Sequence, residues 1–114
     1  MANLIYNLQG LLSQNGGGGA GDVKSNSAST TLLSQRTDSC VELLANPARI
    51  SCSILNDSNS PVYIKFGGTA TPADFSVKIM PQSFYEMSNV MYTGSITGIW
   101  ANAGTGCLRV TEFI

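Results

Sequence analysis

The side chains of this sequence that could carry chemistry are three cysteines (Cys40, Cys52, Cys107) and seven carboxylates (Asp22, Asp38, Glu42, Asp57, Asp74, Glu86, Glu112), with no histidine. Histidine is the side chain whose charge ordinarily changes near neutral pH. Its absence removes the commonest general base and the commonest transition-metal ligand, and no Ser-His-Asp or Cys-His nucleophile can be built within one chain. No two cysteines stand as C-x-x-C, so zinc cages and thioredoxin-like exchange have no motif. The thiols read as small, reduced hydrophobes of a protein made in a reducing cytoplasm. Cys52 shares a face with Ile50 and Ile54, while a bond between Cys40 and Cys107 stays open on spacing. The carboxylates show no acid/base pairing; Asp57 lies in a turn and Asp74 leads a strand, where carboxylates commonly bond backbone. Gly16-Gly17-Gly18-Gly19-Ala20-Gly21 runs into Asp22-Val23-Lys24-Ser25 and lacks the Gly-Lys-Ser/Thr that a phosphate loop requires. No catalytic residue, metal site or cofactor is expected, and enzyme is the least favoured class.

Charge and composition point toward binding. A net charge of −1 provides no basic stripe for phosphates, so nucleic acid is not an expected partner. Charged residues make up 11% of the chain, against about a quarter in ordinary globular proteins. So low a share suggests that part of the surface is covered by a partner. Tyr63, Tyr85, Tyr92 and Phe113 look exposed, and Tyr63, Tyr85 and Tyr92 are the candidate contact residues, because tyrosine joins large area to a polar tip. A sugar platform built on the same three tyrosines is the alternative. No apolar run approaches the roughly 20 residues that span a bilayer, and the first residues do not read as a secretory signal. A membrane partner is not expected.

The elements that must position these groups are strands. Ile50, Cys52 and Ile54 alternate with Ser51 and Ser53; Val62, Ile64 and Phe66 alternate with Tyr63 and Lys65. A period of two puts each trio on one face of an extended chain. Asn56-Asp57-Ser58-Asn59-Ser60-Pro61 between them is turn-forming, so the two runs are expected to pair with each other. Further strand signals follow at 40–44, 75–80, 84–87, 95–101 and 106–113, bounded by Gly, Pro or Asn. About seven short strands without a helix read as an all-β fold, a small antiparallel β-sandwich of Greek-key or jelly-roll type. The expected core is Val41, Leu43, Ile50, Cys52, Ile54, Val62, Ile64, Phe66, Phe75, Val77, Ile79, Phe84, Ile96, Trp100, Leu108 and Val110. Residues 38–114 form this domain. Residues 1–37, rich in Gly, Ser, Asn, Gln and Thr, read as an extended N-terminal arm. At its tip Leu4, Ile5, Tyr6, Leu8, Leu11 and Leu12 make an apolar patch, expected to anchor on a neighbouring subunit.

The segment Arg49-Ile50-Ser51-Cys52-Ser53-Ile54-Leu55-Asn56-Asp57-Ser58 through Val62-Tyr63-Ile64-Lys65-Phe66-Gly67 resembles small β domains of tailed-phage structural proteins. So do Tyr92-Thr93-Gly94-Ser95-Ile96-Thr97-Gly98-Ile99-Trp100 and Arg109-Val110-Thr111-Glu112. The likeness covers residues 38–113 and is one of strands and turns. It implies a virion protein assembled in the host cytoplasm: a capsid cement (decoration) protein of a bacteriophage, such as a cyanophage. By the same resemblance its partners are the major capsid protein or other virion proteins, and it is a homo-oligomer, a trimer being favoured. A neck, baseplate or tail-fibre component is the nearest alternative, and a carbohydrate-binding module the alternative of another class.

Overall fold

The computed structural model describes residues 24–87 and 90–114. Eight strands organise them: β1 (Ala28–Ser34), β2 (Cys40–Leu43), β3 (Ser51–Asp57), β4 (Val62–Phe66), β5 (Val77–Ile79), β6 (Phe84–Glu86), β7 (Ile96–Trp100) and β8 (Cys107–Phe113). They form two four-stranded sheets, ordered β1-β8-β3-β6 and β2-β7-β4-β5. Antiparallel pairs join β1 to β8, β2 to β7, β3 to β6 and β4 to β5. A single long hairpin bent between β4 and β5 generates those four pairs. Rolling it up then brings β8 against β3 and β7 against β4. That connectivity is a jelly roll. The all-β sandwich expected from the alternation is what forms, with eight strands rather than about seven.

The added strand lies in the segment expected to be an arm. β1 pairs along its whole length with β8, from Ala28 opposite Phe113 to Ser34 opposite Cys107. Ser25 Oγ extends the contact by donating to the Ile114 carbonyl at 2.6 Å. Residues 24–37 are therefore part of the sandwich, and the expected division at 37 falls inside it. β1 is an edge strand with six of its seven residues exposed and only Leu33 half-buried, so it has no apolar alternation to reveal it.

The expected pairing of the 50–54 and 62–66 runs is also corrected. β3 and β4 lie in opposite sheets, and their apolar trios face each other across the core. Alternation reports which face is buried and is silent about which strand lies alongside. The polar stretch between them is a buried corner. Asn56 Nδ2 donates to the carbonyls of Ser60 (2.8 Å) and Ile79 (2.9 Å), and Ser58 Oγ donates to Asn56 Oδ1 at 2.6 Å. The indole N–H of Trp100 reaches Ser58 Oγ at 3.1 Å, and the Asn102 amide donates to Ser60 Oγ at 3.0 Å. With Asn56, Ser58 and Ser60 all buried, partners for every polar group are what make a buried corner tolerable.

The core consists of Cys52, Ile54, Val62, Ile64, Ile79, Met87, Ile96, Trp100, Leu108 and Val110, and Met87 is the member that the alternation did not indicate. Leu43, Phe66 and Val77 pack partly buried against it, and Ile50 is half-buried. Three expected core residues lie outside. Phe84 is 65% exposed, because its register opposite Leu55 turns it outward and Tyr85, opposite Ile54, inward. A one-residue change of phase swaps the faces of a strand. Val41 stands outward opposite Thr97, and the register shifts before Leu43 meets Ile96. Glu42, between them, is buried. Phe75 precedes β5 and lays its ring against Tyr63, centroids 4.9 Å apart.

Candidate functional site

Most of the charge in the described residues is tied up in pairs. Arg36–Asp38 (2.8 Å), Lys65–Asp74 (2.6 Å) and Arg109–Asp57 (2.9 Å) lie at the surface. The guanidinium of Arg36 holds the Asp38 carboxyl below its usual range. Arg109, helped by the Gln82 amide, does the same for Asp57. Such exposed pairs add little stability.

Arg49 differs, being 1% exposed. Its Nε donates to Glu112 Oε2 at 2.8 Å, and its terminal nitrogens donate to the carbonyls of Tyr92 and Gly94 (2.9 Å each) and Leu44 (2.6 Å). One planar fork thus ties the β2–β3 connection, the segment before β7 and strand β8 together, a task that suits the fixed geometry of guanidinium.

Beside this staple, between the edge strands β1 and β2, is an open cleft of about 500 Å³ lined by Thr31, Leu33, Glu112 and the run from Val41 to Asn46. Glu42 stands in its wall with 4% exposure. Cys40 Sγ donates to Glu42 Oε2 at 2.8 Å, while Oε1 is buried without a hydrogen-bond partner. Burial raises the Glu42 carboxyl above its ordinary value, the Cys40 contact opposing the shift in part. Burial and the same hydrogen bond push the Cys40 thiol up to about 12, and burial raises Cys52 also. Room for Glu42 comes from Gly98: a β-carbon there would sit 2.8 Å from Glu42 Cγ. A glycine inside a strand often marks such a close approach, and it is the one signal in the sequence pointing to this site.

Cys40, Cys52 and Cys107 are all free thiols. Among the described residues no three His, Cys, Asp or Glu side chains converge as metal ligands, and no helix is long and apolar enough to cross a membrane.

The expected contact residues divide. Leu4, Ile5, Tyr6, Leu8, Leu11 and Leu12 lie outside the described residues. Tyr63 is on the outer face of its sheet, with the Phe75 ring against it and Lys78 Nζ 5.6 Å from its centroid. Tyr85 and Tyr92 are not outer-face residues. Both rings pack on Phe66, at 5.6 and 5.5 Å, against the core, and Tyr92 donates its hydroxyl to the Ser95 carbonyl at 3.0 Å. The outer face of the other sheet carries a row that the alternation did not reveal. Leu32, Arg109, Leu55 and Phe84 stand side by side across β1, β8, β3 and β6, with Leu32 56% and Phe84 65% exposed.

No family model, curated protein or solved structure matches the chain.

Proposed function

We propose that this protein is a structural component of a phage virion, a capsid cement protein that binds the assembled shell as an oligomer and stabilises it. The observation that carries the reading is the row Leu32–Leu55–Phe84 across all four strands of one outer face, interrupted by a single cation, Arg109. Apolar side chains on three of the four strands of one outer face, in a chain with 11% charged residues, have the character of a surface made to be covered. Cementing requires no chemistry. A protein that binds only the assembled state stabilises that state by mass action, and several copies on one oligomer multiply the effect through effective concentration. Since residues 24–37 belong to the sandwich, the reaching arm shortens to residues 1–23, with Leu4, Ile5, Tyr6, Leu8, Leu11 and Leu12 as its anchor.

The test is occupancy on shells stripped of the protein and then reloaded. Deleting residues 1–15 should lower occupancy, as should Phe84→Ser, with folding unchanged in the second case. Full occupancy by both variants would eliminate the proposal. A neck, baseplate or fibre position is the close variant, distinguished by a few copies at one vertex in place of many over the shell. The Tyr63–Phe75 pair beside Lys78 favours one reading of another class, a carbohydrate-binding module. Retention on host polysaccharide, lost in Tyr63→Ala, would promote it.

A further inference from the structure

A buried carboxylate oxygen with no donor is costly, because burial removes the water that would otherwise solvate it. Glu42 Oε1 is the only side-chain nitrogen or oxygen left in that state among the described residues, and Glu42 lines an open cleft. The other walls are mainly aliphatic, with the polar side chains of Thr31 and Asn46 among them. Leu33, Leu43 and Leu44 line it, and Glu112 accepts from Arg49. Among the described residues no lysine or arginine lines the cleft. From this we propose that the cleft between β1 and β2 receives a lysine or arginine side chain of a partner protein, its head on Glu42 and its methylene stem along the leucines. Both side chains carry a long apolar stem behind a charged head, which matches aliphatic walls around a carboxylate. The inference concerns the chemistry of the contact and does not rest on the virion reading.

This chain is a poor source of that cation. Arg36, Arg49, Lys65 and Arg109 are paired with carboxylates, and residues 1–23 contain neither lysine nor arginine. Lys78 lies over the Tyr63 ring. Lys24 is exposed, so a second copy of the chain presenting Lys24 is the competing occupant.

The probes are n-butylguanidinium and n-butylammonium, with 1-pentanol as the neutral control, followed by backbone amide NMR shifts of Leu33 and of residues 41–44 in the full chain. Both cations should give saturable shifts, and pentanol at equal concentration should not. Glu42→Gln should weaken cation binding by about tenfold or more. Thr31→Lys, which places an ammonium within the cleft, should raise the melting temperature and abolish the shifts. Equal response to pentanol, undiminished binding by Glu42→Gln, or a Thr31→Lys protein that still binds the probe would each overturn the proposal. A concentration-dependent dimer abolished by Lys24→Gln would overturn it in favour of the second copy.

Discussion

Replacing Arg49 by methionine keeps much of the side-chain volume and removes four donated hydrogen bonds, one to Glu112 and three to carbonyls. Hydrogen bonds involving charged groups are worth about 1.5–3 kcal/mol each in net terms, but four on one fork are not additive. The better guide is the about 3–5 kcal/mol lost when one member of a buried ion pair is removed. Glu112 keeps 18% side-chain exposure, so water relieves part of the loss, and a cost of about 3 kcal/mol is expected for Arg49→Met. Against a total stability of about 5–15 kcal/mol for a domain, that is a large fraction. Arg49→Lys should cost about 2 kcal/mol, because an ammonium cannot span acceptors on three segments. Urea unfolding of the wild type, Arg49→Met, Glu112→Gln and the double variant completes a cycle. The double variant should recover part of the Arg49→Met loss, since no unpaired carboxylate remains. A loss below about 0.5 kcal/mol for Arg49→Met, in the range of ordinary surface changes, would refute the staple.

Glu42 has a folded-state value raised above its ordinary 4.5, so its contribution is complete below that pH and is lost as pH rises through the folded value. Glu42→Gln should therefore gain stability relative to wild type with rising pH, and parallel urea midpoints between pH 4 and 8 would contradict this. Thiol labelling at pH 8 should find Cys52 silent through burial and Cys40 slow, its thiol being held up at about 12; rapid native labelling of Cys40 would contradict the Glu42 contact. Asn56→Ala should cost about 2–4 kcal/mol by leaving the Ile79 carbonyl and the Ser58 hydroxyl short of partners, read from the thermal midpoint. Little or no change there would mean that the corner is not held by this side chain.

Seven of the eight strands could be read from apolar alternation together with the Gly, Pro and Asn that bound them, and alternation is clearest where β3, with Cys52 and Ile54 inward, and β8, with Leu108 and Val110 inward, have one wet and one dry face. β1 escaped because an edge strand can be polar on both faces. The sheet partners of β3 and β4 escaped because alternation carries no pairing information, and the phase of β6 because both Phe84 and Tyr85 are acceptable on either side of a sheet. The polar interior was the larger gap. Arg49, Asn56 and Glu42 are residue types ordinarily found in water, and only three-dimensional partners, or in one case Gly98, explain their burial. Of the candidate contact residues, Tyr63 stands where its spacing put it. Tyr85 and Tyr92 were placed outside by the general habit of tyrosine at surfaces, whereas Phe66 draws both rings onto the core.

The proposed cement role implies a phage particle that carries this protein, and cryo-electron microscopy of such a particle tests the proposal most directly. Many copies spread over the shell, each with the Leu32–Phe84 row against capsid protein, are the predicted result. Particles carrying the protein at one vertex alone, or shells whose thermal stability is the same with and without it, would contradict the cement role.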